Sequence, residues 1–175
     1  MPDDQSSPPD ARVLTSWHAN AEPWTAAGRE RRIASRRLVT DAAVVDAVLS
    51  LAPRSALDLG CGEGWLSRAL AARGVAVTGV DAVPALVDRA RAHGAAEQGD
   101  AEHRGPEYRV ATYEAIAEGA LAPLRVDVAV ANFALIGGAA VDALVAYVPR
   151  LLAPGGAFVV QTLHPLVACG EAPYA

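Results

Sequence analysis

Short apolar runs alternate along the chain with segments in which apolar residues recur every three or four positions. The runs have the length of buried strands, and the periodic segments are typical of amphipathic helices. Five strands are predicted, at residues 56–59, 75–80, 108–111, 126–131 and 157–162. Because strands and helices alternate, the crossovers should be right-handed, and we predict an α/β fold with a doubly wound, mostly parallel, Rossmann-like sheet between two layers of helices.

Four helices are predicted before and between these strands. The first covers roughly residues 36–51 and has a buried stripe of Leu38, Ala42, Val45 and Leu49. The others follow residue 64 up to Gly74, run from Pro84 to a stop at Gly94, and cover residues 141–152. Residues 95–106 are predicted to form a loop, and residues 154–156 a turn into the fifth strand.

The composition is that of one globular domain, with 175 residues, 52% of them hydrophobic, and a net charge of −5. All 15 basic residues are arginine. The absence of lysine excludes Schiff-base catalysis and a P-loop phosphate site, because both need its amine. The acidic balance predicts that nucleic acid is not a partner.

The two cysteines, Cys61 and Cys169, have neither the number nor the spacing of a disulfide framework or a zinc site. We therefore predict no metal and a reducing compartment. The first ten residues lack the basic and apolar regions of a signal peptide, and prolines and glycines interrupt the longest uncharged run, residues 151–170. The sequence thus predicts a cytoplasmic protein that does not span a membrane.

Three glycines follow the first predicted strand, and an aspartate ends the second. Gly60, Gly62 and Gly64 let the backbone turn sharply and bring its amides close to a ligand. Asp81 stands 21 positions after Gly60, where an acidic side chain can accept hydrogen bonds from ribose hydroxyls. The two features together predict a nucleoside site beyond the carboxyl ends of the strands.

The glycine spacing is GxGxG, and Trp65 occupies the position where a dinucleotide-binding GxGxxG loop has its third glycine. With Asp58 two residues before Gly60, the segment resembles motif I, (D/E)xGxGxG, of class I S-adenosylmethionine-dependent methyltransferases. The resemblance covers roughly residues 38–163 and implies S-adenosylmethionine as cofactor and S-adenosylhomocysteine as its product. It assigns the methionine part to Asp58, Gly60, Cys61, Gly62 and Gly64, the ribose to Asp81, and the adenine to Ala82 and Val83.

Two further segments extend the site that the resemblance implies. After the third strand this family commonly has an Asp-Ala pair, whereas this chain has Thr112 and Tyr113. Thr112 could accept one hydrogen bond in place of the acid and Tyr113 could present its backbone amide, while the alternative is a helix N-cap threonine. Asn132 and Phe133 match the family segment that binds the cofactor's ammonium and faces the methyl acceptor, and the alternative for Phe133 is core packing.

An arginine cluster at residues 29–37 follows an amino-terminal arm that related enzymes often fold over the cofactor. Arg37 is our candidate to clamp the methionine carboxylate, and the alternative is a solvated helix face. Methyl transfer from an activated sulfonium depends on alignment and on excluding water, so a general base is optional. His164, just past the fifth strand, is the candidate base, and the alternative is a loop imidazole bonded to backbone.

The sheet of this family normally continues through two further strands, and this sequence stops before them. An apolar fifth strand left as an open edge favours pairing with another chain. We expect either a truncated chain, which the loop-like residues 169–175 favour, or a homodimer through the fifth strand. The expected parts are a tail and cofactor-covering arm at residues 1–35, a cofactor-binding core at 36–163, and the start of a truncated or disordered region at 164–175.

The predicted function is an S-adenosylmethionine-dependent methyltransferase that acts by in-line transfer on a small molecule. Oxygen, nitrogen, carbon and sulfur acceptors all remain open, because the fold does not dictate the substrate. One alternative is a nicotinamide-dependent oxidoreductase, which also places an acid on a ribose, although Trp65 argues against it. The other is a catalytically inactive, methyltransferase-like binding module, which Thr112 and the absent strands suggest.

Overall fold

The centre of the protein is a parallel sheet of five strands. They are β1 (Ser55–Leu59), β2 (Ala76–Asp81), β3 (Glu107–Val110), β4 (Val126–Asn132) and β5 (Leu152–Gln161). In this computed structural model, which describes residues 9–29, 36–97 and 105–163, the strand order is β3-β2-β1-β4-β5. Every neighbouring pair is parallel. The predicted Rossmann-like sheet is confirmed.

In the described part of the chain, six helices accompany the sheet: α1 (Pro9–Arg29), α2 (Asp41–Leu49), α3 (Trp65–Ala71), α4 (Pro84–Glu97), α5 (Tyr113–Ala117) and α6 (Ala139–Tyr147). A π-helical turn at Arg36–Thr40 leads into α2, and a 3-10 turn at Val148–Arg150 follows α6. Within the described ranges, no helix combines the length and the apolar character that crossing a bilayer requires.

Alternate residues of the central strand face two different cores. Leu57 and Leu59 pack with residues of α5 and α6 on one face of the sheet. Ala56 packs with residues of α2 and α3 on the other face. Because both faces are covered, β1, β2 and β4 carry near-continuous apolar runs, and this is why they could be predicted from the sequence.

The strand order reverses beside β1, which pairs with β2 on one side and with β4 on the other. In open α/β sheets, the connections from two such strands leave in opposite directions and open a crevice beyond their carboxyl ends. The glycine loop after β1, the aspartate that ends β2 and the segment after β4 all meet there. The topology therefore fixes the position of the site.

The predicted stripe of the first helix is partly wrong. The buried residues of α2 are Val44, Val45 and Val48, whereas Leu38 is 69% exposed. The π-helical turn before Asp41 has a wider period than an α-helix, so the 3.6-residue phase does not extend back to Leu38.

The helix that begins at Pro84 was predicted to end at Gly94. This end is also wrong, because α4 continues to Glu97. Residues 95–97 therefore belong to the helix and not to the predicted loop. Val87 and Ala90 of α4 pack against Tyr108. The Tyr108 ring also lies beside Gly94, where a Cβ would be 3.7 Å from its Cε2 atom. This packing outweighs the weak helix propensity of glycine, which costs about 1 kcal/mol.

The fifth strand begins earlier than predicted and includes residues 154–156. Leu152 pairs with Val126 and Ala157 pairs with Val128, so the intervening residues form a bulge within the strand. Leu152 belongs to β5, and the preceding helix, predicted over 141–152, ends at Tyr147. Leu144 and Val148 are buried as predicted, but Val145 is 44% exposed.

Candidate functional site

The loop after β1 turns sharply because three of its glycines have left-handed backbone. Gly60, Gly62 and Gly64 have φ angles of 70°, 57° and 83°, a region that disfavours residues with a Cβ. The N–H groups of Gly60 and Cys61 both donate to the carbonyl oxygen of Val80, at 2.8 and 3.0 Å. These bonds tie the loop to the end of β2.

Close packing adds a second requirement for glycine at two of these positions. A Cβ on Gly60 would lie 2.5 Å from the Cβ of Ala134 and 3.1 Å from the Tyr113 hydroxyl oxygen. A Cβ on Gly64 would overlap the phenol of Tyr108, whose hydroxyl donates to the Gly64 carbonyl oxygen at 3.3 Å. The loop is thus held against a side chain of β3 and against residues that follow β3 and β4.

Asp81 ends β2 and binds the glycine loop through its carboxylate. Its Oδ2 accepts the Gly62 N–H at 2.9 Å, and its Oδ1 accepts the Val83 N–H at 2.9 Å. Burial raises the pKa of Asp81, while the N–H donors of Val83 and Gly62 oppose that rise. Carboxylate oxygens have further acceptor capacity, so Asp81 can still receive hydroxyl donors from a ligand.

Asp58 lies under the loop and away from the ligand space. Its side chain is 1% exposed, and its Oδ2 accepts the Ser67 hydroxyl at 2.7 Å. Burial raises the pKa of Asp58 to about 7, and the nearby charges of Asp81 and Glu63 add to the rise. Asp58 therefore joins β1 to α3 beneath the loop and does not line either cavity described below.

The first cavity is a cleft of about 800 Å³, measured to its open mouth, at the carboxyl ends of the strands. It is lined by residues of α1, the glycine loop, the end of β2, the start of α4, α5, the segment after β4 and the start of α6. The lining combines apolar walls with a few polar groups, as small-molecule sites do. The residues that surround Asp81 in it include Gly60, Gly62, Ala82, Val83, Leu86, Tyr113, Glu114, Asn132 and Phe133.

Helix α1 crosses this cavity and is held at its amino end and near its middle. Val13, Leu14 and Trp17 line the cavity from α1. At one end, the Asp10 carboxylate accepts the N–H groups of Gly138 at 2.6 Å and Ala140 at 3.2 Å, at the start of α6. Near the middle of the helix, Trp17 and Ala21 pack against two residues at the start of α4, Val83 and Leu86.

A second cavity of about 490 Å³ shares Gly60, Gly62, Asn132 and Phe133 with the first. It is further lined by Cys61 and Glu63 of the glycine loop, by Trp65, which begins α3, and by Arg36. The Arg36 guanidinium lies 4.9 Å from the centre of a Trp65 ring, and its Nε donates to the Asp41 carboxylate at 3.0 Å. Glu63 is paired with Arg68 at 2.7 Å.

The segment after β4 has an unusual backbone where it meets both cavities. Phe133 has a φ of 52°, which is uncommon for a residue with a Cβ. The Phe133 N–H donates to the carbonyl oxygen of Gln161 at 2.7 Å, and the Tyr113 hydroxyl donates to the Ala134 carbonyl oxygen at 3.0 Å. Backbone strain of this kind concentrates at functional sites. The Asn132 Oδ1 is buried without a hydrogen-bond partner.

Most of the residues singled out from the sequence meet at these two cavities. Eight of them line the first cavity, namely Gly60, Gly62, Asp81, Ala82, Val83, Tyr113, Asn132 and Phe133. Cys61 lines the second.

Asp58, Gly64 and Thr112 line neither cavity. Thr112 caps α5 by accepting the Ala115 N–H at 3.2 Å, which is the alternative that the sequence left open. The side chain of Arg37 and the whole of His164 lie outside the described residues.

Several contributions to the site were missed in the sequence. Arg36 lines the second cavity, and Trp65 lies beside it. Asp10 and Glu114 line the first cavity. The arginine cluster was a signal for Arg36, but nothing local selects one of its members. Asp10 had no signal, because its partners lie more than 100 residues away.

Comparison with known proteins points to one family. Residues 57–160 match the family described as "Methyltransferase domain". The ubiquinone biosynthesis O-methyltransferase of Methylobacterium nodulans is 38% identical over 116 residues, which are 66% of this chain and 43% of that protein. The chain spans less than half the length of the curated relatives that it matches.

Solved structures agree with this match. The CcbJ methyltransferase of Streptomyces caelestis is 31% identical, with a TM-score of 0.57, and the match covers 71% of this chain and 48% of that one. A TehB-like SAM-dependent methyltransferase from Corynebacterium glutamicum is 22% identical, with a TM-score of 0.60 over 81% of this chain and 72% of that one, and shares the fold. These matches favour neither the oxidoreductase nor the binding-module alternative.

Proposed function

This chain belongs to the methyltransferase domain family, and on that premise we propose that it is an S-adenosylmethionine-dependent methyltransferase that acts on a small molecule. The observation that carries the proposal is the position of Asp81. Its carboxylate lines the same cavity as Gly60 and Gly62 and already binds the loop through the Gly62 N–H. An acid and a glycine loop in this arrangement are typical of a site for ribose with an attached group.

The two cavities divide the cofactor between them in this proposal. The first holds the adenosine, with Asp81 on the ribose hydroxyls and with Ala82, Val83 and Leu86 against the adenine. The second, beyond the shared Gly60 and Gly62, holds the methionine part.

Arg36 takes the role that the sequence suggested for Arg37, on the carboxylate of the methionine part. Its side chain is 14% exposed and lines the second cavity, where Trp65 and Asp41 hold the guanidinium. A guanidinium binds a carboxylate through two parallel N–H bonds. Asp58 supports the loop through its hydrogen bond from Ser67 and does not contact the cofactor. Gly64 lacks a Cβ and so leaves room for the Tyr108 ring that packs against the loop.

The chain's own residues have to align the reactants and exclude water. When bound, S-adenosylmethionine supplies a methyl group on a sulfonium that is already activated for displacement. Helix α1 covers the first cavity with Val13, Leu14 and Trp17, and these apolar side chains exclude water from it. Phe133 and Asn132 border both cavities, so we assign to them the side that faces the acceptor.

An oxygen acceptor is the first candidate, because curated relatives such as the Methylobacterium nodulans protein are named O-methyltransferases. His164 remains the proposed general base for such a hydroxyl. We further propose that residues 1–35 form the arm over the cofactor and residues 36–163 the binding core, in a cytoplasmic protein. Among the described strands β5 is an edge of the sheet, and a second copy paired there is the proposed homodimer, which light scattering tests.

Calorimetric titration of the purified chain tests the proposed function. We expect saturable binding of S-adenosylmethionine and of S-adenosylhomocysteine, and none of NADH. Binding of NADH alone would instead support the oxidoreductase alternative. If none of the three ligands binds, the proposal is wrong, because the cavity around Asp81 would then not be a nucleoside site.

A further inference from the structure

Asp58 is a buried acid whose charge the proposed function does not use. It lies near the end of β1, and its side chain is 1% exposed beneath the glycine loop. The Ser67 hydroxyl donates to its Oδ2 at 2.7 Å. A neutral amide oxygen in the same place accepts such a hydrogen bond as well, so support of the loop does not by itself require an acid here.

No cation neutralises this carboxyl within the described part of the chain. The nearby acid of the loop, Glu63, is paired with Arg68 at 2.7 Å. Asp81 binds backbone N–H groups, and none of the ion pairs between described residues includes Asp58 or Asp81. A buried carboxyl without a counter-charge either takes up a proton or requires positive charge from elsewhere.

The titratable groups that influence Asp58 or are influenced by it come from four elements, namely β2, the glycine loop, β3 and α5. They are Asp81, Glu63, Cys61, Tyr108 and Tyr113. Burial raises the pKa of Asp58 to about 7, and Asp81 and Glu63 add to the rise. Burial also raises the pKa of the thiol and of both phenols, so these stay uncharged. Near neutral pH, a nearby charge therefore decides which form Asp58 takes.

The cofactor of the proposed function brings such a charge to the loop. The two cavities meet at Gly60 and Gly62, so the sulfur that joins the adenosine and the methionine part belongs beside these residues. Gly60 follows Asp58 by two positions. The sulfur is a positive sulfonium in S-adenosylmethionine and a neutral thioether in S-adenosylhomocysteine. The donor and the product thus differ by one charge at the loop that covers Asp58.

Resting on the proposed function, we propose that Asp58 determines the preference of the site for the methyl donor over the product. Its carboxylate attracts the sulfonium of S-adenosylmethionine from beneath the loop and finds no corresponding charge in S-adenosylhomocysteine. Because Asp58 is buried, salt screens this attraction only weakly. Binding of the donor should release the proton of Asp58, whereas binding of the product should leave the proton in place.

Affinities measured at several pH values test this role. The donor preference is the dissociation constant of S-adenosylhomocysteine divided by that of S-adenosylmethionine. A ligand that favours the ionised form of a group gains affinity as pH rises through the pKa of that group. If the ionised form binds the donor about tenfold more tightly, the donor preference should rise about sixfold between about pH 5.5 and 7.5.

Proton release provides a second measurement. Calorimetry in buffers of different ionisation enthalpy counts the protons that each ligand releases. With the same tenfold difference, the donor should release about half a proton more than the product near pH 6.5.

Asp58→Asn should make the donor preference independent of pH, because the amide accepts the Ser67 hydrogen bond and cannot ionise. A loosened loop would lower both affinities and leave their ratio, and the ionisation of the ligands is the same in both proteins. Ser67→Ala tests the carboxyl without replacing it. The Ser67 hydrogen bond lowers the pKa of Asp58, so its loss should move the rise in donor preference to higher pH.

His18→Gln is the matched control. His18 acts electrostatically on Asp81 from α1, and histidines change charge in the same pH range. This variant should retain the rise in donor preference that the parent shows.

Four outcomes would overturn the role of Asp58. The parent's donor preference could stay constant with pH, the two ligands could release equal numbers of protons, Asp58→Asn could retain the rise, or His18→Gln could abolish it. Each of these leaves the proposed function standing as long as the parent binds both ligands. Failure of the parent to bind either ligand would overturn the proposed function itself.

Discussion

The carboxylate of Asp81 accepts the backbone N–H of Gly62 at 2.9 Å and so joins the end of β2 to the glycine loop that follows β1. These two residues are separated by a helix and a strand, yet they form adjoining parts of one cavity wall. The bond fixes the direction in which the loop presents its amides. A ligand that binds Asp81 therefore meets a loop that is already in position, which reduces the entropy lost on binding.

Replacing Asp81 should impair the site more than a simple loss of charge would. In Asp81→Ala the N–H groups of Gly62 and Val83 lose their acceptor, and the ribose hydroxyls lose theirs. We expect the affinity for S-adenosylhomocysteine to fall by about a hundredfold, the equivalent of one or two charge-assisted hydrogen bonds. Calorimetry measures this change in affinity.

The control is Asp88→Ala, which removes an exposed carboxylate from α4. If the two variants bind S-adenosylhomocysteine with equal affinity, the assignment of Asp81 to the ribose is wrong.

A pair of glycine variants separates backbone strain from packing. Gly60 and Gly74 both have positive φ, 70° and 85°, but only at Gly60 would a Cβ meet other atoms within 4 Å. Alanine should strain the backbone similarly at both positions. Gly60→Ala should lower the free energy of unfolding by a further 1–3 kcal/mol or so, the range of overpacking in a core. Urea denaturation of the two variants provides the comparison, and matching losses would mean that Ala134 can move aside.

The sequence was sufficient for features whose cause is local. Buried strands appear in the sequence as apolar runs. The glycines of the loop indicate positive φ angles, and the position of Asp81 after an apolar run places it at the end of a strand. The stripe of α2 and the end of α4 were mispredicted because the first depends on a π-helical turn and the second on the Tyr108 ring, neither of which has a local signature.

Features made by distant residues were beyond reach of the sequence. Gly138 donates to Asp10 across almost the whole chain, and no pattern near either residue announces the bond. Arg36 lines the second cavity because the π-helical turn presents it to Trp65 and Asp41. The side-by-side position of Asn132 and Gln161 likewise requires the register of β4 and β5, which only the folded sheet defines.

The buried Asp58 carboxyl should make stability depend on pH with a predictable sign. Its pKa is raised to about 7 in the folded protein, whereas an unfolded aspartate titrates near 4. Between roughly pH 4 and 7 the native state therefore holds a proton that the unfolded state has released, and the free energy of unfolding falls as pH rises. Asp58→Asn removes this titration, so the variant should gain on the parent by roughly 1 kcal/mol per pH unit in that window.

Urea unfolding at several pH values between about 5 and 8 measures that gain for Asp58→Asn. The exposed Asp46 on α2 offers the matched control, because Asp46→Asn removes a carboxylate from the same chain without removing a buried one. If the stability difference between Asp58→Asn and the parent does not change with pH, Asp58 does not hold its proton in the folded protein.

The role proposed for Arg36 can be isolated with two ligands that share the adenosine. S-adenosylhomocysteine carries the amino-acid carboxylate, whereas methylthioadenosine lacks it. Arg36→Gln should lower the affinity for S-adenosylhomocysteine by about tenfold or more, the usual effect of losing a charge-assisted contact, and should leave the affinity for methylthioadenosine within about twofold.

Arg36→Lys should recover only part of the lost affinity, because an ammonium cannot make the paired contact of a guanidinium. Arg73→Gln, at an exposed arginine just after α3, is the control. An equal loss of affinity for both ligands in Arg36→Gln would contradict the contact between Arg36 and the carboxylate.

The bond between Asp10 and the start of α6 should control how fast the cofactor leaves. It anchors the amino end of α1 over the first cavity, and Trp17 packing on Val83 and Leu86 anchors the middle of the helix. Asp10→Ala should release the first anchor and speed the dissociation of S-adenosylhomocysteine by about tenfold, since two hydrogen bonds to a carboxylate are lost at a partly exposed position. Stopped-flow tryptophan fluorescence follows the dissociation, and hydrogen exchange along α1 measures how far the helix is loosened.

Asp142→Ala is the control variant. It removes an acid from the first turn of α6 without touching α1, and so controls for the electrostatic contribution to helix stability. If both variants destabilise α6 equally and neither changes the dissociation rate, Asp10 acts only as a helix cap.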